Sequence, residues 1–157
     1  MKNIDDWLDA YGESHQNPTN KKIHWVCVPL IMITLLGLLS FIKFPISISQ
    51  YIPINLSSVL IILALIFYLR LSISISFGMI FISTVSLLII HRLEILFPDM
   101  LQLLFIYIGV FILSWIGQFI GHKIEGKKPS FFEDIQFLLI GPLWLLSQAY
   151  NALRIKY

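Results

Sequence analysis

The chain has 157 residues, of which 57% are hydrophobic and 13% charged, with a mean hydropathy of +0.83. That is more apolar side chain than a soluble domain of this size carries, so the sequence reads as a membrane protein. A formal net charge of +2, with Lys and Arg at the ends of apolar runs and no basic stripe, excludes nucleic acid as a partner. Cys27 is the sole cysteine, which excludes an internal disulfide and a cysteine-based metal site, so a metal would have to rest on histidine and carboxylate. A single integral membrane domain over 1–157 is expected at this length. The opening residues contain DDWLDAYGE and no apolar h-region, so the first hydrophobic segment is expected to stay as an anchor and not to be cleaved as a signal.

In chain order, Ile4, Trp7, Leu8 and Tyr11 fall at i, i+3, i+4 and i+7, one stripe of a short amphipathic helix with acidic residues opposite. It is expected on the membrane surface, with Trp7 and Tyr11 at headgroup level. The polar loop GESHQNPTNKKIH follows, in which Pro18 disfavours a continuous helix and Asn20 is the expected cap of the next one. Trp25 to Ile42 gives about 18 mostly apolar residues, enough to cross a hydrocarbon core of roughly 30 Å. Lys43 and Pro45 close this first span. A second run from about Ile52 to Leu69 and a third from Leu71 to Ile90 meet at Arg70, which marks a tight hairpin because a charge at mid-bilayer costs at least ~2.5 kcal/mol. The serines of SISIS then fit a surface turn or a helix start. His91, Arg92, Glu94, Pro98 and Asp99 make the next polar connection, and Leu101 to Gly121 makes a fourth span carrying a Gly117/Gly121 GxxxG pattern that lets another helix approach.

Beyond it, Ser130 and Glu133 have capping-box spacing, so a last helix is expected to begin near Phe131 and to break or kink at Gly141 and Pro142. Its apolar part, Phe137 to Leu146, is short for a crossing. The expected fold class is therefore all-α: a polytopic membrane bundle of four transmembrane helices, an N-terminal interfacial helix and a C-terminal kinked, re-entrant or fifth helix. Alternating spans put Lys21, Lys22, Arg70, Lys123, Lys127 and Lys128 on one side and Lys43 and Arg92 on the other, so the first side is expected to be cytoplasmic. The same count brings His15, His24 and His122 to that side and leaves His91 opposite. The host membrane would be the endoplasmic reticulum in a eukaryotic cell and the inner membrane in a bacterium.

The sharpest local signal is WIGQFIGHKIEGKKP, where Ser114, Gln118, His122 and Glu125 share one helix face. A polar stripe entering an apolar helix must face protein or water, though a helix end at the headgroup boundary accounts for it equally well. His15 and His24 match no short zinc motif. Neutral imidazoles with a nearby carboxylate suit Fe(II), Zn(II) or another first-row ion. Asn17 and Asn20 read either as turn and cap residues or as groups that orient a headgroup or the imidazoles. There is no HExxH, GxGxxG, P-loop or GxSxG, and too few histidines for the boxes of membrane desaturases. Two rivals stay open: a non-enzymatic membrane scaffold or lipid-binding protein, and a zinc-dependent lipid hydrolase.

YGESHQNPTNKKIHWVCVPL together with WIGQFIGHKIEGKKPSFFEDIQFLLIGPL resembles the Mpo-type 2-hydroxy fatty acid dioxygenases, a membrane family named for metabolism of phytosphingosine to odd-numbered fatty acids. Tyr11, His15, Asn20, His24 and Pro29 with Trp115, Gln118, Phe119, Gly121, His122, Glu125 and Pro129 carry the resemblance, while Ile124 and Gly126 depart from it. It implies an Fe(II)-dependent enzyme that converts a 2-hydroxy fatty acid and O2 to the acid one carbon shorter, with no nicotinamide or flavin. His15, His24 and His122 carry over as metal ligands, with His91 as a further candidate and Glu125 beside them as a catalytic group. Asn17, Asn20, Gln118 and Lys21 are the expected substrate contacts. Membrane lipid, the 2-hydroxy fatty acid and O2 are the expected partners, and self-association into a homo-oligomer is left open.

Overall fold

The computed structural model describes residues 3–49, 52–129 and 136–157. Helix α1 (Ile4–Gly12) is closed by a reciprocal Asn3/Asp6 capping box. Helix α2 (Pro18–Ser40) is capped by Asn17, whose side chain accepts from the backbone N–H of Thr19 at 2.8 Å, with Pro18 at the first helical position where its missing N–H costs nothing. The cap thus lies three residues before the expected Asn20, which is helical and fully buried. A two-stranded antiparallel hairpin, β1 (Lys43–Ser49) and β2 (Ile52–Asn55), follows in a chain read as wholly helical. Helix α3 (Leu56–Leu71) starts from an Asn55/Ser58 capping box, and Ser72 alone separates it from α4 (Ile73–Leu96). The tight hairpin after Arg70 is therefore present. Asp99 caps α5 (Met100–Glu125), which ends at Gly126 in the left-handed region (φ 75°), and α6 (Phe137–Ala152) completes the fold.

Helices α2, α4 and α5 have 23, 24 and 26 residues and are long and apolar enough to cross a membrane. At 1.5 Å per residue they span roughly 34–39 Å, against a hydrocarbon core of about 30 Å. The chain is an all-α membrane bundle with this small hairpin attached. Helix α3 falls short of the full second span expected for it, with 16 residues, because the hairpin takes up Ile52 to Asn55. Its C-terminal end still reaches the layer formed by α1 and α6, where Phe67, Tyr68 and Leu71 pack. Helix α4 runs on to Leu96, so His91, Arg92 and Glu94 are helical and not a connection. Gly141 and Pro142 lie within α6 and do not end it; the Ser130/Glu133 capping box lies outside the described residues.

Two packing features position the site. The first is the α2–α5 pair. A Cβ on Gly117 would lie 2.7 Å from Cys27 Sγ, one on Gly121 would fall on Asn20 Oδ1, and one on Gly37 would lie 2.6 Å from the Tyr107 ring. Glycine at these positions lets the backbones approach closely, so the GxxxG face is used within the chain. The second is α1, whose Trp7 and Tyr11 do not lie free at headgroup level. They are 6% and 7% exposed, packed with Phe137, Ile140, Trp144 and Leu145 of α6 and Val28 of α2. Aromatic rings with a protein partner available gain more by burial and edge contact, as in Trp7 against Phe137 at 5.3 Å and 83°.

Candidate metal centre

Three histidines from three separate segments converge beneath α1. His15 sits in the loop between α1 and α2, His24 on an early turn of α2, and His122 on the last turn of α5. They are 1%, 0% and 4% exposed. Ring centroids are 4.3 Å apart for His15 and His24, 5.0 Å for His15 and His122, and 4.9 Å for His24 and His122, with the rings nearly perpendicular at 85°, 77° and 90°. One ring nitrogen from each lies within 4.8 Å of the others.

The hydrogen bonds around the rings decide which nitrogens are free. His15 Nδ1 lies 2.6 Å from the Tyr11 carbonyl oxygen, and His24 Nδ1 lies 3.0 Å from that of Asn20. A carbonyl can only accept, so each Nδ1 carries the proton and each Nε2 keeps a bare lone pair. Both Nε2 atoms are buried with no hydrogen-bond partner, and so is His122 Nδ1. A buried unpartnered polar atom costs about 1–3 kcal/mol, and three pointing into one small region need a common reason. A divalent cation supplies one, because imidazoles fixed by a backbone carbonyl through the second nitrogen are the usual form of a histidine ligand. Small ring rotations bring donors at this spacing to bonds of about 2.0–2.2 Å. The residues fit a metal ion.

His15 also packs against two aromatic rings. The Tyr11 ring stacks on it at 4.1 Å and 9°, and Trp144 lies 5.2 Å away at 44°. Burial, then the neighbouring His24 ring, push His15 down to about 3 against the opposing pull of its bond to Tyr11. The imidazole is therefore neutral in the physiological range and its lone pair is available. Burial likewise pushes the Tyr11 hydroxyl above its ordinary range, so that ring stays neutral.

Glu125 is near the histidines yet outside the donor set. Its Oε1 accepts from the Gln16 N–H at 2.8 Å, and its Oε2 from the Asn17 N–H at 2.8 Å and from Asn20 Nδ2 at 3.1 Å. The carboxylate thus clamps the loop that carries His15 to the helix end that carries His122. Asn20 also donates from Nδ2 to the Ser14 carbonyl at 3.1 Å, which fixes its amide and leaves Oδ1 buried without a partner. Asn17 is occupied as the α2 cap. Gln118, one turn before His122, is buried beside the His24 ring, and Lys21 lines a cleft next to His15. His91 does not join the group: its side chain is 67% exposed on α4, 4.0 Å from Glu94, because the helix continues through the segment read as a connection. Tyr11 and Trp144, which brace His15, were not foreseen in that role. The i, i+4 spacing of Tyr11 and His15 was the available signal for the first, and the second had none.

Comparison with known proteins addresses the same residues. The family model described as 2-hydroxy-palmitic acid dioxygenase Mpo1-like matches residues 1–153. The chain belongs to this family. It is 31% identical over 143 residues to the 2-hydroxy-palmitic acid dioxygenase MPO1 of Saccharomyces cerevisiae, covering 88% of this chain and 75% of the yeast protein. No solved structure matches. The match spans the three segments that carry the clustered histidines, so a 2-hydroxy fatty acid dioxygenase family and a histidine cluster able to hold a metal coincide in one fold.

Proposed function

We propose that the chain is an Fe(II)-dependent dioxygenase of fatty-acid α-oxidation, which converts a 2-hydroxy fatty acid to the fatty acid one carbon shorter. The supporting observation is the meeting of three buried imidazoles, each with one ring nitrogen that has no hydrogen-bond partner, in a member of the Mpo1-like family. The overall change is R–CHOH–COOH + O2 → R–COOH + CO2 + H2O. The bond between the first and second carbons breaks, the substrate gives up four electrons, and O2 takes them, so no further reductant is needed. When bound, Fe(II) supplies the one-electron chemistry with O2 that side chains lack, and three imidazoles leave positions on such an ion open.

The chain's own residues do the rest. Tyr11 and Asn20 hold two imidazoles in the ligating tautomer, and the Tyr11 and Trp144 rings pack against His15. Glu125 holds the segments together and leaves a negative charge near the centre. Gln118 is the buried amide best placed to meet the polar end of a substrate, whose acyl chain lies against the apolar helices. The histidine end faces the cytoplasm in this reading, since it carries most of the basic residues that flank the spans.

The test is anaerobic loading of the detergent-purified protein with Fe(II), followed by O2 and 2-hydroxy-palmitic acid. Stoichiometric iron, O2 consumption and the acid one carbon shorter are expected. His15→Ala, His24→Ala and His122→Ala each lose iron and product but still insert in the membrane. Full activity in one of these variants removes that residue from the ligand set. Turnover that needs zinc and no O2 replaces the reading with a hydrolase, and absence of any retained metal replaces it with a scaffold.

A further inference from the structure

A cleft of about 570 Å³ lies between α1 and α6, with His15 and Trp144 on its lining. Its α1 wall carries Asp5, Asp9 and Glu13 at i, i+4 and i+8, one exposed face of the helix. Its α6 wall carries Ser147, Gln148 and Asn151, which are neutral, and Lys21 is the one cation of the lining. None of these four charged groups is in an ion pair among the described residues. Two observations therefore meet here: an uncompensated row of carboxylates and, on the lining of the same cleft, a histidine 1% exposed whose Nε2 has no partner. The sign of the charge decides what the cleft admits. An anionic 2-hydroxy acid would meet three carboxylates and one ammonium on the way to His15, whereas a divalent cation is attracted by the same field.

We propose that this cleft is the route by which a divalent cation reaches the three histidines, with Asp5, Asp9 and Glu13 as the attracting wall. The proposal rests on the metal-centre reading and adds to it a path and a direction. It also implies that the acyl substrate approaches from the bilayer side and leaves the polar cleft to the ion.

The experiment is stopped-flow mixing of metal-free protein, in neutral detergent, with Co(II), read by the ligand-field absorption of the bound ion. In the isosteric triple variant Asp5→Asn, Asp9→Asn, Glu13→Gln the association rate should fall roughly tenfold. The dissociation rate should stay within about twofold, since no ligand has changed. Association with the native chain should slow as salt is raised, the triple variant should be nearly salt-independent, and Lys21→Gln should associate faster. The changed side chains are solvent-facing, and circular dichroism checks that helix content is kept. Equal association rates and equal salt slopes in native and triple variant overturn the route. If Co(II) uptake occurs and is abolished by His122→Ala while the triple variant behaves as native, the route alone fails. If the native chain takes up no Co(II), the metal centre fails with it.

Discussion

Glu125→Gln separates a positioning carboxylate from a chemical one. The side chain keeps its length but loses its charge and one of two acceptor oxygens, while three N–H groups from Gln16, Asn17 and Asn20 still face it. If the amide oxygen takes the Asn17 and Asn20 donors, the amide nitrogen is left opposite the Gln16 N–H, donor against donor. A charge-assisted hydrogen bond is worth about 1.5–3 kcal/mol and a neutral one about 0.5–1.5, so the clamp weakens by roughly 3–5 kcal/mol before solvent is considered. Water competes at this partly buried position, which brings the loss to about 2–3 kcal/mol. The loop bearing His15 must then be ordered by the ion itself, so the dissociation constant for Co(II) or Fe(II) rises by roughly 30- to 100-fold at ~1.4 kcal/mol per decade. Anaerobic titration of the metal-free protein measures this directly. At saturating iron the variant should regain most of its turnover. An unchanged metal affinity with turnover lost would falsify the clamp and make Glu125 a group that acts on the reactants.

Gly121→Ala places a methyl on Asn20 Oδ1 and parts α2 from α5 at the histidine end; a loss of about 1–3 kcal/mol and weaker metal binding are expected, read by thermal melting and Co(II) titration. Gly109→Ala, where nothing lies within 4 Å, serves as the control, with a melting temperature equal to or above that of the native chain. His91→Ala should retain stoichiometric iron, because its ring is 67% exposed beside Glu94 and away from the cluster; loss of iron in this variant would show that the centre needs a fourth imidazole. Metal at 100 times its dissociation constant stabilises the chain by about 2.7 kcal/mol, or roughly 5–10 °C in melting temperature. His24→Ala should abolish that shift, and a shift of equal size in this variant would place the ion elsewhere.

The long-period features of this fold were legible because hydropathy and helical spacing are local properties. The four apolar runs lie where four helices stand, and the stripe of Ser114, Gln118 and His122 is buried on one face of α5 as its spacing requires. Sidedness then brought His15, His24 and His122 to one end, where they do converge. Contacts that depend on partners remote in sequence were not readable. The Glu125 bonds to Gln16 and Asn17 join residues 109 and 108 apart, so nothing near Glu125 distinguishes a clamp from a ligand or a base. Trp7 and Tyr11 have the chemistry of an interfacial belt, and only the presence of α6 turns them inward. Asn17 and Asn20 are both good caps by type; the Pro18 ring at the first helical position selects Asn17, which frees Asn20 for the interior. The β1–β2 hairpin rests on cross-strand pairing and shortened the span that follows it.

The three clustered histidines are contributed by the loop after α1, by α2 and by the end of α5. A ribosome making this chain has already released two of the imidazoles into place long before the third exists, and two alone hold a first-row ion weakly. On the function proposed above, half-made chains would carry no redox-active iron, and the ion would be captured only after the last full-length crossing has been threaded. Loading, on that reading, is an inspection of completed insertion: a copy that stalls or threads wrongly would never become competent to meet oxygen.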